Sequence, residues 1–211
     1  MSTKLKICGM KVPGNIAEAV LLQPDYLGFI FYPGSKRFIA DLNPELIRNI
    51  PSTIKTTGVF VNEELEIVKK AIVTYQLKAV QLHGEESAAY CGELKGLAEV
   101  IKAFGIHETF DFNQLDGYIN QVDYFLFDTK TPEHGGSGKT FSWQLLGNYH
   151  LEKPYFLSGG IGMAHLADLQ QFKDERLYAV DVNSRFEIAP GLKDIALLTE
   201  FKESSGCFGQ L

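Results

Sequence analysis

Eight short apolar runs, each followed by a longer charged or amphipathic stretch, recur along the chain at residues 4–8, 26–31, 56–61, 79–82, 99–104, 124–128, 155–158 and 178–182. Strands that alternate with helices pair in parallel, and a run as apolar as Tyr-Phe-Leu-Phe at 124–127 must be covered on both faces. Eight of them suggest closure into a single (β/α)8 TIM barrel of the α/β class. Such barrels typically take about 250 residues and rarely fewer than about 200. The chain has 211, enough for a compact version with short loops. The competing open doubly wound sheet starts on a Gly-x-Gly-x-x-Gly turn, which the first turn, Cys-Gly-Met-Lys-Val-Pro-Gly at 8–14, lacks.

No linker or low-complexity tract interrupts the alternation, so residues 1–211 are read as one domain, with the small, polar segment 204–211 as a frayed tail. The third connecting segment carries the clearest helix signal. Asn62 is expected to be its N-cap, Glu63 and Glu64 suit the positive end of the dipole, and Leu65, Val68, Ile72 and Tyr75 share one face. Ile195, Leu198 and Phe201 form a similar stripe after the last strand.

Charge narrows the function. Lys and Arg number 20 against 26 Asp and Glu, a formal charge of -6, which argues against nucleic acid or an anionic membrane as partner. No apolar run approaches the roughly 18 residues of a membrane span. Cysteines at 8, 91 and 207 are too few and scattered for a disulfide framework or a zinc cage, so a reducing cytoplasm is expected. The histidines at 107, 134, 150 and 165 show no metal-ligand spacing.

In barrels of this type chemistry collects at the carboxyl ends of the strands. The polar residues there are Cys8, the 32–37 loop with Arg37, Asn62, His83, Asp128, Ser-Gly-Gly at 158–160, and Asp181, Asn183 and Ser184. Alternation puts Lys6 and Cys8 on one face of the first strand, opposite Leu5 and Ile7. If the aliphatic pair packs on helices, both point inward, and a lysine beside a thiol favours the thiolate needed for a base or nucleophile. Asp128 is either a local cap or a functional carboxyl before the long 129–140 loop. That loop holds Gly-Gly-Ser-Gly-Lys-Thr at 135–140, only the tail of a nucleotide-binding phosphate loop, with Glu133 where its first glycine belongs. Gly159 and Gly160, after the seventh strand, sit where backbone amides can approach a phosphate. Arg37 is a solvated loop cation or a bidentate clamp for a carboxylate. His83 is a capping or core histidine, or a substrate-binding group.

These pieces resemble the phosphoribosylanthranilate isomerase family: Lys-Ile-Cys-Gly at 6–9, Gly-Phe-Ile-Phe-Tyr at 28–32 with Ser35 and Arg37, Gly-Val-Phe-Val-Asn at 58–62, Gln-Leu-His-Gly at 81–84, Phe-Asp-Thr at 127–129 with Gly-Gly-Ser-Gly at 135–138, Ser-Gly-Gly at 158–160, and Pro-Gly-Leu-Lys-Asp at 190–194. The resemblance spans essentially the whole chain in order. It implies the (β/α)8 fold and conversion of N-(5-phosphoribosyl)anthranilate to the 1-deoxyribulose 5-phosphate in tryptophan biosynthesis, without a cofactor or metal. It also implies Cys8 as general base, Asp128 as general acid, Arg37 holding the anthranilate carboxylate, and Gly159, Gly160, Asn183 and Ser184 holding the phosphate. Asp181 and His83, polar strand ends at the same mouth, are expected as further substrate-binding groups. The expected partner is a small phosphorylated molecule, and the expected state a monomer or homodimer. Ser-Arg-Phe-Glu at 184–187 departs from the commoner Ser-Gly-Val-Glu, leaving Arg185 as a possible charge near the phosphate, and Lys36 replaces a frequent proline. Another phosphosugar isomerase would rely on paired aspartates, and a noncatalytic phosphoryl-binding barrel would not need Cys8 and Asp128 together.

Overall fold

A computed structural model describes residues 3–40, 42–129 and 141–205. Eight parallel strands close into a barrel in sequence order. They are β1 (Lys4–Ile7), β2 (Tyr26–Ile30), β3 (Lys55–Phe60), β4 (Ala79–Leu82), β5 (Glu99–Ile106), β6 (Tyr124–Thr129), β7 (Tyr155–Leu157) and β8 (Leu177–Val182). Each expected run overlaps its strand, with ends differing by at most two residues. Closure comes from β1 pairing with β8, in a register that sets Lys6 beside Asp181.

The outer layer is less regular than the alternation suggested. Helices α1 (Pro13–Leu21), α2 (Pro44–Arg48), α3 (Leu65–Tyr75), α4 (Ala88–Gly92), α5 (Leu166–Gln171) and α6 (Ile195–Ser205) cover most of the barrel. After β5 and β6 the covering segments are 3-10 turns, Phe112–Tyr118 and Trp143–Asn148. Their aromatic side chains cover the barrel without a full helix: Phe112 and Tyr149 pack on Phe127.

Two expectations about helix ends change. Glu64, not Asn62, is the N-cap of α3. Asn62 adopts a left-handed φ of 51°, which asparagine tolerates, and its Oδ1 accepts from the Glu85 amide at 2.6 Å. A link between the β3 and β4 loops outcompetes the local cap. The apolar face is as expected, with Val68 and Ile72 buried and Leu65 and Tyr75 packed against the core. Ser204 and Ser205 are not frayed: α6 runs through Ser205, whose hydroxyl donates back to the Lys202 carbonyl.

The main core lies between barrel and helices. Inside the barrel, Tyr26, Ala79, Ile101, Leu126 and Phe156 fill the amino-terminal half. Beyond β8 a short hairpin, β9 (Glu187–Ala189) with β10 (Leu192–Lys193), folds back at the carboxyl-terminal mouth. Asn15 of α1 holds it through two hydrogen bonds to the Lys193 backbone. Phe186, before the hairpin, is fully buried against Phe201 at 4.9 Å.

Candidate active site

The barrel's carboxyl-terminal mouth holds a pocket lined by both Cys8 and Asp128. The Cys8 amide donates to the Val182 carbonyl at 2.9 Å, which extends β1 by one residue and turns the thiol inward. Gly28, next door on β2, makes the room: a Cβ there would lie 2.7 Å from the Cys8 sulfur. Asp128 enters from β6. Its Oδ1 accepts from the Thr129 amide at 2.7 Å, so the carboxyl is locally capped as well as turned to the pocket. Its Oδ2 lies 3.4 Å from His83 Nε2.

His83, Asp181, Asn183, Ser184, Gly159 and Gly160 line the same pocket. The two glycines have φ of 93° and 68°, the left-handed region where side chains are strained. At Gly159 a Cβ would also lie 2.4 Å from Thr129 Oγ1. Tyr32 and Ser158, from the polar strand ends singled out above, also line the wall, as does Gln81, which sequence reasoning did not place in the site. Gln81 left a signal, as a polar residue in the otherwise apolar run 79–82.

The inward face of β1 is as alternation implies. Lys6 is fully buried, and its Nζ donates to Asp181 Oδ1 at 2.8 Å and Gln81 Oε1 at 2.7 Å. Burial opposes the ammonium charge, but Asp181 and Cys8 together outweigh it and the Lys6 pKa rises. The expected thiolate is corrected. Burial pushes the Cys8 thiol up, and the attraction of Lys6, already spent partly on Asp181, draws it back only in part.

Arg37 is not a free clamp. Its Nε and Nη2 form a bidentate pair with Glu187, at 2.7 Å for the Nη2 contact. Lys193 Nζ reaches the same carboxylate at 2.8 Å and Asn183 Oδ1 at 2.7 Å. Glu187 and Lys193 thus join the 32–37 loop to the loop after β8, and sequence reasoning assigned neither a role. Nη1 of Arg37 has no partner among the described residues. Gly9 is required where these parts meet, since its φ is 77° and a Cβ would lie 2.6 Å from Asn183 Oδ1 and 2.7 Å from Arg37 Cδ.

Arg185 is exposed, with its aliphatic stem against Gly162, and does not line the pocket. The glycine-rich stretch 135–140 and most of the 129–140 loop lie outside the described residues, as do His134, Cys207 and residues 206–211. No group of three or more metal-ligating side chains occurs among the described residues.

Residues 5–204 match the family model of N-(5'-phosphoribosyl)anthranilate (PRA) isomerase. The chain belongs to this family. The chain is 42% identical over 200 residues to the N-(5'-phosphoribosyl)anthranilate isomerase of Parabacteroides distasonis, covering 93% of this chain and 90% of that one. Among solved structures, the phosphoribosyl anthranilate isomerase of Thermus thermophilus superposes with a TM-score of 0.83 at 28% identity, over 97% of this chain and 98% of that one. Another phosphoribosyl anthranilate isomerase, solved with reduced 1-(o-carboxyphenylamino)-1-deoxyribulose 5-phosphate, superposes at 0.80 and 32% identity, with the same coverage. The fold is therefore the (β/α)8 barrel of the isomerases, and the activity is the aldose-to-ketose isomerisation of phosphoribosylanthranilate in tryptophan biosynthesis.

Proposed function

We propose that the isomerisation runs by general acid–base catalysis, with Cys8 as base and Asp128 as acid. The observation that carries this reading is that the two side chains, from β1 and β6, line one pocket. Opening the furanose needs a proton on the ring oxygen, and forming the ketose needs removal of the proton on carbon 2. A thiol raised by burial is a strong base once ionised, and Lys6 beneath it offsets part of the cost of the charge. Gly159, Gly160, Asn183 and Ser184 are assigned to the phosphate, supported by their common wall and by the left-handed glycines. Arg37, beside the pocket rather than in its lining, is assigned to the anthranilate carboxylate through Nη1, with Glu187 holding the guanidinium plane. His83 and Asp181 are assigned to the substrate's polar groups.

The substrate is thus a small phosphorylated molecule, and the chain is proposed to act as a monomer or homodimer. A cytoplasmic setting agrees with free, buried thiols at Cys8 and Cys91, and no described helix is long and apolar enough to cross a membrane. The test is a coupled fluorescence assay following loss of phosphoribosylanthranilate. Cys8→Ala should cut turnover by about 10²–10⁴-fold with the fold retained. A variant keeping more than roughly a tenth of the wild-type rate removes Cys8 as the base.

A further inference from the structure

We propose that Gln81 is a positioning residue that holds the His83 proton on Nε2, directed toward Asp128. The argument begins with Lys6. An ammonium has three donors and no acceptor, so whatever meets Lys6 Nζ must accept. Gln81 meets it at 2.7 Å, so the atom there is the amide oxygen, Oε1, and the amide nitrogen must face the other way. That nitrogen lies 2.8 Å from His83 Nδ1. An amide nitrogen only donates, so Nδ1 has to accept and carries no proton. The neutral ring then bears its proton on Nε2, the atom 3.4 Å from Asp128 Oδ2.

Neither alternative fits the geometry. Turning the amide over sets its NH2 against the ammonium, and moving the proton to Nδ1 sets two donors face to face. An imidazolium has the same conflict at Nδ1. Gln81 is 2% exposed on β4, so water does not readily replace a lost partner. Asp181 closes the far end of the chain by accepting from Lys6 at 2.8 Å, and Ser158 Oγ sits 3.5 Å from its other oxygen. One donor-only cation on β1 thus sets the direction of a relay through β4 to β6.

The consequence rests on reading Asp128 as the acid. After donating its proton, Asp128 is a carboxylate, and a fixed N–H aimed at Oδ2 stabilises it without further rearrangement. At 3.4 Å the contact is longer than an ordinary N–H···O hydrogen bond. The position of the proton does not depend on that reading.

The test uses whole protein labelled with ¹⁵N-histidine, and long-range ¹H–¹⁵N correlations at about pH 8.5, above the ordinary imidazole range. The His83 signals are assigned by their loss in His83→Gln. The expected wild-type pattern is protonation at Nε2; protonation at Nδ1 overturns the proposal without any variant. Gln81→Glu keeps an acceptor for Lys6 but presents a second acceptor to Nδ1. Protonation at Nδ1 should appear, and kcat should fall about tenfold or more while KM changes less. An unchanged proton position in Gln81→Glu overturns the proposal, and a moved proton with unchanged kcat overturns its role in the reaction. Failure of Asp128 as the acid is read separately, as turnover surviving in Asp128→Asn with the His83 spectrum of the wild type unaltered.

Discussion

At the amino-terminal end of the barrel Lys55 pairs with Glu99, and Tyr26 bonds to both Glu99 at 3.0 Å and Tyr178 at 3.2 Å. At the carboxyl-terminal end Lys6 pairs with Asp181, and Gln81 links Lys6 to His83. Both ends join a lysine, a carboxylate and neutral polar groups, but their surroundings differ. The side chains of Lys55 and Glu99 are 36% and 29% exposed, above stacked rings such as Tyr124 and Tyr178 at 4.4 Å. Those of Lys6 and Asp181 are 0% and 5% exposed, beneath a pocket rather than a plug. The first pair closes a floor that water already screens. The second puts an unscreened field under the groups proposed to move protons.

The largest expected effect comes from replacing one polar group at each end. Asp128→Asn keeps the shape and hydrogen bonding of the carboxyl but cannot donate the acid proton, so turnover should drop by about 10²–10⁴-fold. Calorimetry should still detect the reduced carboxyphenylamino-deoxyribulose phosphate, and loss of that binding would move Asp128 from catalysis to architecture. Tyr178→Phe at the opposite end should leave kcat within about twofold and cost about 1 kcal/mol of stability, the usual net worth of one hydrogen bond.

Removing the cation at each end sharpens the contrast. Lys6→Met strands Asp181 in the barrel interior and should cost about 3–5 kcal/mol in denaturant unfolding. Lys55→Met breaks a partly exposed pair and should cost about 0–1 kcal/mol. Equal losses would mean that the two pairs are screened alike.

Arg37→Ala comes next and acts on two things at once. It should lower kcat/KM by about 10–100-fold, as expected for a charge-assisted contact. Phosphoribosyl-aniline, which lacks the carboxylate, should lose much less; an equal loss moves Arg37 away from the carboxylate. The same variant changes acid stability. Burial alone would raise the Glu187 pKa, but Arg37 and Lys193 outweigh it and hold it below the ordinary 4.5. Its folded pKa being depressed, Glu187 stabilises the protein above its unfolded value and loses that contribution as pH falls through the folded one. Arg37→Ala should therefore show a shallower fall in stability below about pH 4.5 than the wild type, measured by chemical denaturation across that range.

The smallest effect is expected at Arg185. With its stem on Gly162 and outside the pocket wall, Arg185→Gly should change product-analogue affinity less than about twofold, with the same salt dependence. A drop in affinity with a flatter salt response would put the guanidinium on the phosphate.

Much of the barrel was legible because burial on both faces leaves a strand continuously apolar, and eight such runs have few other ways to close. The helical layer was less so. The segments after β5 and β6 cover the barrel with rings such as Phe112 and Tyr149, which cover a strand without helical periodicity. Asn62 looked like a cap because cap propensity is local, whereas its actual bond, to Glu85, crosses to the next loop.

The sequence by itself determined the strand count, the inward face of Lys6 and Cys8, and the set of polar strand ends from which the pocket is drawn. Those follow from period and chain order, which are one-dimensional. Tertiary structure alone decided who pairs with whom. Residues 150 positions apart make Arg37 the partner of Glu187, and Lys6 meets Gln81 and Asp181 across 75 and 175 positions. Hydrogen-bond direction and desolvation depend on such neighbours, so the raised Cys8 thiol, the engaged Arg37 fork and the orientation of Gln81 emerge only when the barrel closes.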